Sequence, residues 1–111
     1  MSAEQIRNLE KLLDTPRDGA LLRYALGSAY LKAGQTERAL QQLREALARD
    51  AGYSAAWKTL GSALAEAGRE AEALETWRQG IAAAQHKGDR QAEKEMTVFA
   101  RRLEKRLGGG G

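Results

Sequence analysis

Apolar residues recur along most of this chain at intervals of three and four positions, which is the period of one face of an α-helix. The clearest stripe lies near the C-terminal end, at intervals of four, three, four and four residues: Ala92, Met96, Phe99, Leu103 and Leu107. No run of β-branched residues favours a strand, and Pro16 is the single proline. The pattern therefore predicts an all-α protein.

Glycines and other turn residues divide the helical pattern into six predicted helices. Their expected bounds are 3–13, 20–33, 36–49, 54–67, roughly 69–87, and a last helix that Asp89 caps and that continues through residue 107. Gly34 is expected to end a helix in the left-handed conformation, and Thr36 and Ser54 are expected to cap the helices that follow them. The four glycines at 108–111 are expected to stop the last helix and form a disordered tail.

The chain contains an internal repeat with a period of 34 residues. Residues 20–53 align with residues 54–87, and ten of the 34 aligned pairs are identical. The identities fall in blocks (LGSA, AG and AL), and the internal glycines Gly27 and Gly61 are in register. We therefore expect two tandem helix pairs in a single domain over residues 1–107, with residues 1–19 and 88–107 covering its two ends.

This arrangement resembles the tetratricopeptide repeat family, in a small bacterial-type form with two repeats and a capping helix. The second repeat carries the family's motif residues at the family's spacing: Trp57, Leu60, Gly61, Gly68, Ala73 and Trp77. The first repeat carries Leu26, Gly27, Tyr30, Gly34, Ala39 and Ala46, whereas Arg23 stands in its large-residue position. The resemblance implies a short right-handed α-solenoid of about six antiparallel helices.

Composition and charge exclude several function classes. The 111 residues carry a formal net charge of +3 and no cysteine, so neither a disulfide framework nor a thiolate metal site is expected. His86 is the single histidine, and the sequence contains no nucleophile triad, phosphate-binding glycine loop or metal-ligand spacing. No segment approaches the roughly 18 apolar residues of a membrane span. We therefore expect a cytoplasmic protein that is not an enzyme and uses no cofactor or metal.

The resemblance also implies where a partner binds. In the family, the first helix of each repeat lines a concave face that holds a peptide or a helix, so we expect a protein-interaction adaptor. The residues expected in this groove are Leu21, Tyr24, Ser28, Lys58 and Ser62, with Arg90 and Lys94 of the last helix as further cations. Both serines stand where carboxylate-clamping members have asparagine, so a complete carboxylate clamp is not expected.

A cluster of cations near the C-terminal end leaves an alternative function open. Arg101, Arg102, Lys105 and Arg106 either form a solvated helix end or bind RNA or an acidic assembly. Aromatic residues that stack on bases are missing among them, which makes nucleic acid the less favoured partner. We expect a protein or peptide partner, no membrane contact, and a monomer or a weak homodimer.

The apolar stripe of the last helix has nothing to pack against except the second helix pair. Deleting residues 89–111 should therefore expose the apolar flank of that pair, lower the thermal midpoint and promote aggregation. Circular dichroism and light scattering would measure both effects, and deleting only residues 108–111 should change neither. A long deletion that stays monomeric with an unchanged midpoint would contradict this prediction.

Overall fold

The computed structural model describes residues 2–108, in which all regular secondary structure is helical. The six helices are α1 (Ala3–Glu10), α2 (Ala20–Lys32), α3 (Thr36–Arg49), α4 (Ser54–Glu66), α5 (Glu70–Lys87) and α6 (Arg90–Leu107). The expected all-α class and the number of helices are thus confirmed for this part of the chain. Most of the predicted glycine tail, residues 109–111, lies outside the described residues.

Three of the interhelical turns have the same backbone conformation. Gly34, Gly68 and Gly88 have φ angles of 76°, 81° and 81°, the left-handed conformation that glycine adopts without a side-chain clash. After Gly34, the backbone N–H of Gln35 donates to the carbonyl oxygen of Tyr30 at 2.8 Å, which satisfies one of the free carbonyls at the end of α2. These tight turns make the helices on either side antiparallel.

The beginnings of the helices differ in part from the expected caps. Asp89 caps α6 as predicted, because its carboxylate accepts a hydrogen bond from the N–H of Ala92 at 3.1 Å. This bond lowers the pKa of the Asp89 carboxyl group. Thr36 and Ser54 are instead the first helical residues of α3 and α4, since the residue before each occupies the capping position. The prediction that these two side chains cap their helices is therefore wrong.

The first helix ends at Glu10, earlier than the periodicity predicts. A polar turn follows, in which the hydroxyl group of Thr15 donates to the carbonyl oxygen of Leu12 at 2.5 Å. Asp14 has a φ angle of 61°, and its N–H donates to the carboxylate of Asp18 at 2.9 Å. Local side-chain bonds thus compete with the helix and bring Asp18 to the beginning of α2.

The helices pack in two layers. α2 packs on α3, α4 on α5 and α5 on α6, while α3 and α4 connect the first two pairs. α2 also touches α4, and α4 touches α6. The backbones of α3 and α5 do not approach each other within residues 2–108, although Arg44 of α3 and Glu72 of α5 form an ion pair at 3.5 Å. Three parallel helices (α2, α4 and α6) therefore form an inner layer, and α3 and α5 form an outer layer.

The first two helix pairs each cross at a glycine. A Cβ atom added at Gly27 would lie 2.8 Å from Cγ of Leu43, and one added at Gly61 would overlap the indole ring of Trp77. Leu43 is fully buried and Trp77 is 5% exposed. Because each glycine leaves room for a large residue of the crossing helix, the two backbones approach closely.

The last helix packs in the same way, except at its end. Met96 is fully buried against Gly80, where an added Cβ atom would lie 2.6 Å from the methionine sulfur. Leu107 is 48% exposed, so its expected place in the buried stripe is wrong. The reason is that α6 extends further than α5 at this end. Arg106 already pairs with Glu70, the first residue of α5, so Leu107 lies beyond the end of α5.

Arg23 fills the large-residue position of the first helix pair as a buried cation. It is 8% exposed, and its guanidinium donates to both carboxylate oxygens of Asp18, at 3.0 and 2.6 Å, and to Oε1 of Gln42 at 3.1 Å. The hydrogen bonds from Arg23 hold the pKa of Asp18 well below its usual range. The buried charge is tolerated because its donors are paired.

A second polar contact ties α1 to α2. The hydroxyl group of Tyr30 donates to the carboxylate of Glu10 at 2.5 Å, and burial together with this bond raises the pKa of Tyr30 to about 12. Ile6 of α1 is buried in the same apolar cluster as Leu22 and Leu26 of α2. α1 thus covers the N-terminal end of the inner layer.

The crossing at Gly61 predicts a large effect of a small change. Gly61→Ala should lower the free energy of unfolding by about 1–3 kcal/mol, the usual cost of overpacking, although alanine has the higher helix propensity. Gly19→Ala is the control, since no atom lies within 4 Å of the added side chain. Thermal melts followed by circular dichroism measure both changes, and equal midpoints for the two variants would contradict the close crossing.

The Asp18–Arg23 pair predicts a pH dependence of stability. The folded-state pKa of Asp18 is lowered from 3.8, so the contribution of the pair is complete above about pH 4 and is lost as the pH falls through the lower folded-state value. Asp18→Asn should lower the urea midpoint at pH 7, and the difference from the parent chain should shrink towards pH 2. Glu66→Gln, at an exposed residue of α4 that forms no ion pair among the described residues, is the control. A difference that stays constant down to pH 2 would contradict this linkage.

Candidate functional site

The inner layer carries most of the expected binding residues. Because α2 and α4 are parallel and in contact, residues 34 positions apart lie at corresponding heights on neighbouring helices. The face of the inner layer that contains Leu21, Tyr24, Ser28, Lys58 and Ser62 is termed the groove. The groove runs along the axes of the inner helices, from the N-terminal ends of α2 and α4 to their C-terminal ends.

Tyr24 lies in the groove but is also a packing residue. Its ring centroid lies 5.1 Å from that of Tyr53, at an interplanar angle of 33°. Its hydroxyl oxygen lies 3.4 Å from that of Thr59 on α4, and the side chain is half-buried. Burial raises the pKa of Tyr53, the ring against which Tyr24 packs. Truncating Tyr24 would therefore remove a core contact as well as a groove side chain, which the sequence pattern did not indicate.

Lys58 is paired within the structure rather than free in the groove. Its ammonium group lies 3.2 Å from a carboxylate oxygen of Glu95 on α6, and the two side chains are 34% and 39% exposed. Glu95 was not among the predicted site residues, because nothing in the chain marks which residue of α6 faces α4. The middle of the groove is consequently close to neutral.

The remaining groove residues of α2 and α4 are open to solvent to different degrees. Ser28 and Ser62 are half-buried, and each hydroxyl group can both donate and accept a hydrogen bond. Leu21 is 72% exposed, the most exposed large apolar side chain of residues 2–108. The part of the groove that α2 and α4 form thus combines an apolar side chain (Leu21), an aromatic ring (Tyr24) and two hydroxyl groups (Ser28 and Ser62).

Arg90 and Lys94 lie together at the beginning of α6. They line one hollow with Gln85, Gly88 and Glu93, and a second with Gln91 and Glu95. Both hollows mix cations with carboxylates, and Glu95 links the second one to Lys58. The structure therefore places these two exposed cations beside Glu93 and Glu95, although neither cation forms an ion pair within the described residues.

The four cations at the end of α6 do not form one patch. All four are exposed, but only Arg102 and Arg106 line a cavity of about 250 Å³ at the C-terminal end of the groove. Arg106 pairs with Glu70, while Arg102 has no ion pair within the described residues. The helical period explains this division, because residues one position apart point about 100° away from each other.

The cavity at the end of the groove, termed the end hollow, was not anticipated as a site. Its lining residues come from α4, α5 and α6: Ala65, Trp77, Phe99, Arg102, Leu103 and Arg106. The rings of Trp77 and Phe99 lie 5.4 Å apart, at an interplanar angle of 44°. From the sequence, Phe99 is expected only to be a core residue. The signal that would have found the hollow is the alignment of Ala65 with Leu31, where the first helix pair has the larger side chain.

Neither metal ligation nor membrane insertion is indicated by the described part of the chain. Residues 2–108 contain no group of three His, Cys, Asp or Glu side chains placed to hold a metal ion. Each helix in this range is too short or too polar to cross a bilayer. Hydrogen bonds within the protein cause the clear downward shifts of carboxyl pKa, such as those from Arg23 to Asp18 and from Arg69 to Glu72.

Comparison of the sequence with known proteins gives two matches. The model of the family described as tetratricopeptide repeat matches residues 30–93. A TPR repeat-containing protein from Pseudomonas aeruginosa is 51% identical over 100 residues, which cover 90% of this chain and 95% of that protein. The sequence likeness therefore extends beyond the repeat segment itself.

Comparison with solved structures supports the same architecture. The solution structure of a protein from Bordetella parapertussis is 44% identical and has a TM-score of 0.80, covering 96% of this chain and 91% of that chain. The solution structure of a tetratricopeptide repeat domain protein from Salinibacter ruber is 28% identical with a TM-score of 0.75, covering 82% and 91%. Both likenesses include most of the six-helix arrangement described above.

Proposed function

Because the chain belongs to the tetratricopeptide repeat family, we propose that it is an adaptor that holds a peptide or a helix of a partner protein in its groove. Members of this family are generally non-catalytic interaction modules. In this proposal, residues 20–53 and 54–87 are the two repeats, and residues 1–19 and 88–107 cover their ends. The groove then follows from the parallel inner helices of the two repeats.

The observation that carries this proposal is the chemistry of the open part of the groove. Leu21 offers an exposed apolar contact, and Tyr24 an aromatic ring with a polar end. Ser28 and Ser62 are small enough to let a partner backbone approach and can hydrogen-bond to it. Such a surface suits a short segment that lies along α2 and α4, and its limited area favours modest affinity.

The exposed pair Arg101 and Lys105 supports a second candidate function. Neither side chain has an ion pair in the described part of the chain, and both lie on the face of α6 away from the end hollow. Unpaired cations on one helix face attract RNA or an acidic protein surface. Such binding would weaken steeply with salt, whereas groove binding of a peptide would depend on salt much less.

The groove proposal can be tested by crosslinking. A photoreactive amino acid at Ser62 should capture a partner in the native cell, whereas the same group at Gln41 on the outer layer should not. Mass spectrometry then identifies the partner and the crosslinked segment, which can be synthesised for titration. Equal capture at the two positions would argue against the groove.

A charge at the entrance of the groove should weaken binding of that segment without unfolding the protein. Leu21→Asp removes an exposed apolar side chain and adds an acid to the first turn of α2, which has none and where a negative charge is favourable. We expect at least about a tenfold rise in Kd, or 1.4 kcal/mol, in calorimetric titrations. Gln41→Asp should change neither the Kd nor the melt. If Arg101→Glu weakens binding of the segment and Leu21→Asp leaves it unchanged, the second candidate function is favoured.

A further inference from the structure

The end hollow is an apolar cavity with two arginines at its rim, and the groove proposal leaves it without a role. We propose that it is a socket for one apolar side chain of the partner segment, with an acidic residue next to that side chain held by Arg102. This inference rests on the proposed groove function and names the chemistry of the partner at its C-terminal end.

The end hollow exists because of one small residue. Leu31 of α2 is half-buried and packs against both apolar clusters of the core. At the corresponding position of α4 stands Ala65, which leaves the space next to Trp77 and Phe99 unfilled. The cavity is therefore specific to the boundary between α4 and α6 and is not a general feature of the helix pairs.

The size and the lining of the end hollow suit a side chain rather than a cofactor. Its volume of about 250 Å³ lies below the roughly 300–1,000 Å³ of pockets that hold small-molecule ligands. Its walls are the aromatic rings of Trp77 and Phe99 and the aliphatic side chain of Leu103. A leucine or phenylalanine side chain placed there would remove apolar surface from water on both partners.

The charge at the rim selects an acidic neighbour. Arg106 is already paired with Glu70, but Arg102 is exposed and has no ion pair among the described residues. A guanidinium can bind a carboxylate through two parallel hydrogen bonds, so an aspartate or glutamate next to the apolar side chain would complete the contact. Lys58, the other large cation of the groove, is paired with Glu95. Of the two arginines at the rim of the end hollow, Arg102 is therefore the one without a carboxylate partner among the described residues.

A peptide of this chemistry tests the inference directly. The probe is a fluorescein-labelled hexapeptide, Glu-Asp-Leu-Phe-Asp-Glu, with an amidated C-terminus so that no terminal carboxylate contributes. We expect the full chain to bind it in fluorescence anisotropy, and to bind the Ser-Ser analogue of its two central residues at least about tenfold more weakly. In ¹H–¹⁵N correlation spectra, the amide shifts should concentrate at Ala65, Phe99 and Arg102.

Two pairs of matched variants locate the binding. Ala65→Leu fills the end hollow and should raise the Kd of the probe at least about tenfold, whereas Ala48→Leu, at an exposed position of α3, should not. Arg102→Gln should have an effect of similar size, and Arg101→Gln should stay within about twofold of the parent chain. Arg102 is exposed, so its variant keeps the test valid even if Ala65→Leu proves to be misfolded.

The outcomes separate this inference from the groove proposal. A probe that does not bind, or that binds the Ala65→Leu and Arg102→Gln variants as tightly as it binds the parent chain, overturns the socket. If Leu21→Asp still weakens binding of the native partner segment while the socket variants are silent, only the socket fails and the groove proposal stands. Displacement of the probe by a uridine oligonucleotide, with Arg101→Gln as the decisive variant, would replace both proposals with the basic-surface function.

Discussion

The close crossing of helices at glycine is the contact on which the rest of this structure depends. Gly27 and Gly61 each lie in the middle of a helix, where glycine costs about 1 kcal/mol relative to alanine. Burial of Leu43 and Trp77 in the space that they leave open offsets that cost. Once the crossings are set, the turns place α2, α4 and α6 parallel and in contact, and the groove follows from this arrangement.

The cations in and around the groove differ in whether a neighbouring group of the protein compensates them. Arg23 is buried with its donors paired to Asp18 and Gln42, which makes it part of the core rather than of a binding surface. Lys58 is compensated by Glu95 in the middle of the groove. Near the C-terminal end of α6, Arg102 at the end hollow and Arg101 on another side of the helix have no ion pair among the described residues. A single helix thus offers two different surfaces for an acidic partner.

Small differences between two similar helix pairs produce the candidate site. The pairs share their glycines and their turns, so their backbones are alike. They differ where Leu31 corresponds to Ala65, and this difference decides whether the end of the groove is filled or hollow. A repeated backbone therefore provides the scaffold, and a departure from the repeat provides the specificity that we propose.

The sequence by itself determined the helices, their turns and the family, because helical periodicity and left-handed glycines are local properties that neighbouring residues specify. It also placed Met96 in the core, since the spacing of the last helix gives its apolar residues a single face. It missed the early end of α1 and the exposure of Leu107, which depend on side-chain bonds and on the length of a neighbouring helix. The pairing of Lys58 with Glu95 and the end hollow around Phe99 were decided only by the tertiary structure. Both join residues that are distant in the chain, and which faces of α4 and α6 meet is set by how the helices pack rather than by the order of their residues.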